Sequence, residues 1–188
     1  ARDRTEGVAA AMAALMVAAE GGALGLFTSI QRLRATWPDL TQRLAEADIP
    51  LYAQHVDRMN LQTLLQLFRE DRHSALIGTD AVRDGVDVPG DALRMMIYER
   101  VPWPRPDMLF RARSTWQGRD SWTDRITRMK LRQAFGRLIR RADDKGVFVM
   151  LDSRMPTRLA TAFPKDVEIV RCGLAEVIAE TKVFLSEV

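Results

Sequence analysis

Gln133, Gly136, Arg137 and Arg140 stand within the run QAFGRLIRRADDKG, residues 133–146. Read as one amphipathic helix, spacings of four and three place Gln133, Arg137 and Arg140 along a single edge, with Leu138 and Ile139 supplying apolar contacts. Arginine stays charged and presents a planar fork of donors, so two of them on one edge suit a phosphate or a carboxylate. Gly136 adds to that reading. A glycine inside a helix costs about 1 kcal/mol relative to alanine, which favours it where something approaches the backbone closely. A solvated basic face would carry the same charges, and both readings stand at this point.

A second constellation is GTDAVRDGVDVPGD, residues 78–91. Gly85 permits a sharp bend after the preceding strand, and Pro89–Gly90 suits a type II turn. Asp87 lies between two valines and so alternates to the face opposite theirs, either as a plainly exposed carboxylate or as one held near a ribose or an arginine.

The elements that must position these groups read as strands alternating with helices. Helical segments are expected at 4–20, closed by Gly21 and Gly22; at 30–47, interrupted at Trp37–Pro38; at 61–70, capped by Asn60; up to Arg141; and from Leu174 onward. Short apolar strands are expected at 24–28, 51–53, 75–78, 93–98, 147–151 and 167–170. Such a βα series implies a largely parallel sheet with helices on both faces, and ligands then bind at the carboxyl ends of the strands. The residues placed there are Thr28, Ser29, Thr79, Asp80, Arg100 and Asp152. Ser and Thr at these positions either cap the following helix or help its N-terminus hold a phosphate.

The chain has 188 residues, 47% hydrophobic and 28% charged, and reads as one domain over 1–188 with an ordinary soluble composition. It begins on Ala1 directly within a helix pattern, which suggests a piece of a longer protein. No membrane or secretion signal is expected: the most apolar stretch, residues 8–19, is too short to span a bilayer. The single cysteine, Cys172, excludes a disulfide framework, fits a cytoplasmic setting and reads as a small buried hydrophobe. His55 and His73 have no ligand pattern around them, so no metal site is expected. Charge is uneven: residues 111–145 hold eleven basic against four acidic side chains, a net +7, leaving a net −4 on the rest of a chain that totals +3. A local basic face suggests a polyanion partner.

In this order and spacing the segments resemble the second RecA-like motor domain of superfamily 2 DNA helicases, specifically the XPD/DinG family. LGLFTSIQRL at 24–33 resembles motif IV, ALIGTDAVRDGVDVPGDAL at 75–93 motif V, and QAFGRLIRRADDKGVFVMLDSR at 133–154 motif VI; ERVPWPRP at 99–106 resembles the proline-rich segment that follows motif V in the bacterial branch. The resemblance implies an α/β, three-layer αβα sandwich with a mostly parallel sheet. It also implies a bacterial cytoplasmic protein whose ATP sits between two such domains.

By that resemblance Arg140 is the arginine finger and Arg137 its companion. Gln133, Gly136, Gly85 and Asp87 complete the ATP-binding edge, Asp87 by facing the ribose or orienting an arginine. Thr28, Ser29 and Thr79 contact phosphates of single-stranded DNA. Apart from the resemblance, Trp103, Trp116 and Trp122 lie in or near the basic region; core packing is the expected fate of at least two of the three, and Trp103 is the one expected to stack on a base of the DNA. The chain has no GxxxxGK followed by Ser or Thr, so ATP and Mg²⁺ are expected to be held mainly by a first RecA-like domain, the expected partner. An iron–sulfur cluster would belong to that other domain, and the isolated chain is expected to be inactive.

Two departures stand out. Ala81, Val82, Arg83 and Asp84 replace the aromatic pair and Glu common before the motif V glycine, and Ile30 replaces a frequent aromatic after the motif IV Thr-Ser pair. The altered motif V keeps open an alternative in which the domain binds nucleic acid for a parent whose motor has lapsed.

Overall fold

The computed structural model describes residues 2–88, 92–104 and 119–186. In chain order the elements are α1 (Arg2–Ala18), β1 (Ala23–Leu26), α2 (Ile30–Ala45), β2 (Leu51–Ala53), α3 (Leu61–Glu70), β3 (Ala75–Gly78), α4 (Asp80–Gly85), β4 (Met95–Tyr98), α5 (Arg119–Leu138), β5 (Val147–Met150), a 3-10 turn (Thr157–Ala162) and α6 (Leu174–Ser186). The strands form one five-stranded sheet in the order β2-β3-β1-β4-β5. Every pairing is parallel.

Local chemistry explains most of the boundaries. α1 stops at Gly21 and Gly22, both in the left-handed region (φ 81° and 59°), and a Cβ on Gly21 would stand 2.2 Å from the His73 carbonyl oxygen. Ser29 caps α2, its side chain accepting from the Arg32 amide at 3.2 Å, and Asn60 caps α3 by accepting from the Thr63 amide at 2.9 Å. The three central strands β1, β3 and β4 are buried on both faces, as a covered parallel sheet requires, while the edge strands β2 and β5 are only partly buried.

Alternate strand residues feed two cores. Ala75, Ile77, Met95 and Ile97 pack with Met12 and Met16 of α1, Leu33, Leu40 and Leu44 of α2, and Leu185 of α6. Leu76, Met96 and Tyr98 point the other way, toward Leu64 and Phe68 of α3, Val82 of α4, and Leu131, Ala134 and Leu138 of α5. The result is the three-layer αβα sandwich expected from the βα series.

Four expectations are corrected. α2 runs unbroken through Pro38, which removes one ladder donor; Leu33, Thr36, Leu40 and Leu44 still bury one continuous face across it, so packing holds the helix together. No strand forms at 167–170, because the sheet ends at β5 and this run pairs with no edge; Ile169 and Val170 are exposed. Cys172 is half-buried rather than buried. Last, α5 ends at Leu138 and not at Arg141. The Asp144 carboxylate accepts from the Arg140 and Arg141 amides at 2.7 and 2.9 Å, and Gly146 then passes so close to Leu138 that a Cβ there would lie 2.7 Å from its Cγ. Beyond these, a short helix, α4, occupies the stretch read as a post-strand loop.

The Pro89–Gly90 turn, Trp116, Arg111 and Arg113 lie outside the described residues.

Candidate functional site

The chain reverses its direction of travel across the sheet at β1, with β3 on one side and β4 on the other. This is the switch point at which open parallel sheets form a crevice. Register brings Leu26, Gly78, Tyr98 and Met150 level with one another. Thr28, Thr79, Glu99, Arg100 and Asp152 therefore emerge along one carboxyl edge.

On the β3 side, the motif V segment and the end of α5 are tied together. Arg137 donates from Nη2 to the Asp84 carbonyl at 2.9 Å and from Nη1 to the Val86 carbonyl at 3.3 Å. Arg140 donates from Nη2 to the same Val86 carbonyl at 3.2 Å, while its Nη1 is paired with the Asp87 carboxylate. Arg69 of α3 adds a bond to the Asp87 carbonyl at 2.7 Å. Val86 and Val88 are buried and turn Asp87 outward, leaving its side chain 72% exposed against 25% for Arg140. The neighbouring Arg140 guanidinium holds the Asp87 carboxyl below its usual range. The amides of Arg140 and Arg141 do the same for Asp144.

The expected single edge is thus built differently. Gln133 and Arg137 do share a helical edge and Gln133 is exposed, but Arg140 lies beyond the helix end and reaches the same place through the turn capped by Asp144. A Cβ on Gly136 would find no atom of another described element within 4 Å, so among the described residues nothing crowds that position. A Cβ on Gly85 would stand 3.1 Å from Leu65 Cδ1, which keeps that position small against α3.

The hydroxyls divide in their commitments. Thr79 donates to Gln54 Oε1 at 3.1 Å, and its amide donates to the same oxygen at 2.9 Å. Thr28 donates to Glu99 Oε1 at 2.9 Å. Ser29 only accepts, from the Arg32 amide, so its hydroxyl proton remains uncommitted among the described residues. Trp103 is 37% exposed, whereas Trp122 is buried. At the β5 end, burial pushes the Asp152 carboxyl up, but donors from Arg154 and Val101 outweigh it and hold the group low.

Several supporting residues were not singled out from sequence. Glu99 and Gln54 are both buried carriers of a threonine. Arg83, noted only as a departure from the family pattern, is buried between Asp80 (3.1 Å) and Asp84 (2.8 Å), and Lys130 of α5 joins Asp80 at 3.0 Å. The signal for Glu99 was its place immediately after a strand of an α/β sheet. Among the described residues no group of three or more His, Cys, Asp or Glu could hold a metal ion, and no helix is long and apolar enough to cross a membrane.

The helicase C-terminal domain family matches residues 12–169 of this chain. The chain belongs to that family, in its XPD/DinG branch. It is 37% identical over 153 residues to the ATP-dependent helicase DinG of Mycobacterium tuberculosis, a match covering 78% of this chain and 22% of the relative. It is 31% identical to the Bacillus subtilis protein named 3'-5' exonuclease DinG, covering 71% of the chain and 15% of that relative. The chain thus spans about a fifth of the length of the first of these relatives. Among solved structures, one described as an XPD helicase superposes with a TM-score of 0.54 at 18% identity, over 74% of this chain and 26% of that one, which shows the shared fold.

Proposed function

We propose that this chain is the second motor domain of an ATP-dependent DNA helicase. In this reading it acts against a first RecA-like domain of the same polypeptide, in a cytoplasmic setting. One observation carries it: motif V and the end of α5 fix two guanidiniums side by side at the carboxyl edge, Arg140 through an exposed and exchangeable carboxylate. Arg140 is then the arginine finger, giving up Asp87 for the γ-phosphate of an ATP seated on the other domain. Arg137, held by two backbone carbonyls, stays in place as its companion. Gln133 and Gly136 extend the same face toward the nucleotide, and the open space at Gly136 admits an approach from outside the chain. Asp87 orients Arg140 until closure and is then free to meet the ribose. Gly85 keeps motif V seated on α3.

A finger of this kind stabilises charge on the transferring phosphoryl group and contributes roughly 10³ to 10⁵ in rate. Mg²⁺ would neutralise charge on the phosphates, and in this reading the ion and most of the ATP are held by the first domain, as would be any iron–sulfur cluster. Single-stranded DNA would run along the remainder of the edge. Ser29, with its uncommitted hydroxyl, donates to a phosphate directly; Thr28 and Thr79, whose hydroxyls are held by Glu99 and Gln54, would reach a phosphate by exchanging those acceptors for it. Trp103 offers an exposed face for one base. Phosphate contacts of this sort position a strand without reading its sequence.

Within the joined protein, Arg140→Ala should leave nucleotide affinity nearly intact and reduce DNA-stimulated hydrolysis by roughly a thousandfold or more. Unchanged hydrolysis would sink the finger assignment, and appreciable ATP turnover by the isolated chain would refute the two-domain reading. A second reading is that the parent's motor has lapsed and the domain only binds nucleic acid, supported by the altered motif V and by the relative named as an exonuclease. It predicts nucleic-acid binding with no hydrolysis for Arg140→Ala to remove.

A further inference from the structure

A second pair of arginines stands on the β1–β4 part of the edge, Arg32 within the motif IV segment and Arg100 in the segment after β4, and neither has been given a role. Glu99 follows β4 and its side chain is wholly buried (0% exposed). Arg32, in the first turn of α2, grips it with a fork: Nε donates to Oε1 at 2.8 Å and Nη2 to Oε2 at 2.6 Å. Thr28 donates to Oε1 as well, and Arg100 Nε lies 3.4 Å from Oε2. Both arginine side chains are about one-third exposed, at 31% and 32%.

Stability does not account for this arrangement. Withdrawing a carboxylate from water costs several kcal/mol, and well-packed apolar replacements of buried pairs are often neutral or better. The geometry offers a different use. Gripped through Nε and Nη2, Arg32 keeps Nη1 uncommitted among the described residues; Arg100 Nε is buried without a hydrogen-bond acceptor. Two guanidiniums against one carboxylate leave a net charge of +1 at the mouth of α2, next to the Ser29 hydroxyl.

We infer that Arg32 and Arg100 form a seat for a backbone phosphate of single-stranded nucleic acid, with Glu99 as the positioning residue that fixes the fork. The inference rests on the reading that this edge carries a single strand. The buried carboxylate removes the rotamer freedom that a phosphate would otherwise have to quench, and the excess positive charge provides the attraction. Arg32 and Ser29 then address one phosphate oxygen group from the start of the same helix.

The test is binding of a fluorescently labelled single-stranded oligonucleotide to the chain across a salt series, read as the slope of log affinity against log salt. Each phosphate contact contributes about −0.7 to that slope for single strands. The double substitution Arg32→Gln with Glu99→Gln leaves net charge unchanged and removes the unpaired buried carboxylate that Arg32→Gln alone would create. It should flatten the slope by about 0.7, as should Arg100→Gln. Arg43→Gln, which removes a charge from the exposed Arg43–Asp39 pair farther along α2, should leave it unchanged. If the double variant and Arg100→Gln both keep the wild-type slope, or Arg43→Gln lowers it as much, the seat is overturned while strand binding stands. A flat slope for the wild-type chain overturns the strand reading and the seat with it. Melting curves verify that the double variant folds; if it does not, Arg100→Gln decides.

Discussion

Arg32 rests on a carboxylate that water does not reach, whereas Arg140 rests on one that is 72% exposed, and the two sit on the same edge of the same sheet. Glu99 is fixed by the β1–β4 pairing and accepts from Arg32 and Thr28 at once. Asp87 projects from an irregular segment anchored only by its flanking valines and backbone. In the dry setting the ion pair is strong and its breakage expensive; in the wet one water and salt compete for both partners. The comparison teaches that one edge can carry a permanent arginine and a releasable one, distinguished by the solvation of the acid that holds each.

The sharpest way to break this comparison is to remove each partner and measure stability. Arg32→Ala strands a buried carboxylate and should lower the free energy of unfolding in urea by about 3 kcal/mol. Asp87→Ala should shift the urea midpoint far less, because its carboxylate is exposed and its pair is screened by water. Equal losses would show that solvation does not separate the two.

A smaller effect is expected with pH. The Asp87 and Asp144 carboxyls titrate lower in the folded chain than in the unfolded one, so their contribution is present above the ordinary carboxylate range and vanishes as pH falls through the lower folded values. The Arg140 side-chain N–H resonances should stay put through neutral pH and move toward free-arginine positions only in acid. Movement near pH 7 would contradict the assigned pair.

Smallest is the alkaline end. Burial pushes the Tyr98 hydroxyl up to about 12, opposed by the nearby Arg83 charge. The neutral form is favoured in the fold, so Tyr98's contribution is intact below pH 10 and shrinks as pH climbs from there toward 12. Tyr98→Phe should flatten stability across that interval, and an unchanged pH dependence would place the alkaline loss elsewhere.

Features governed by neighbours in the chain were readable from sequence. The glycine stop of α1, the caps at Ser29 and Asn60, and the buried central strands each depend on a few adjacent residues, and the βα alternation then dictated the layers. What escaped depended on distant partners. Glu99 acquires its importance from Arg32, 67 positions away, through a strand adjacency that local pattern does not encode. Arg140 left the helix because Asp144 captures two amides beyond it, a contest between helix and turn that apolar spacing does not register. The run 167–170 had a strand's composition but no free edge to join, and α2 kept its course through Pro38 because the buried face on both sides outweighed one missing donor.

The level register of β1, β3, β4 and β5 carries a last consequence. Each strand residue advances about 3.3 Å and alternates faces, so one inserted residue would push a single terminal group out of line and exchange its core side chains between layers. Substitution can retune the chemistry of this edge one position at a time, but a change in the length of any of these strands would dismantle it. Additions to the chain are therefore confined to the connections, and the spacing of the groups along the edge is a quantity that the backbone, not the side chains, preserves.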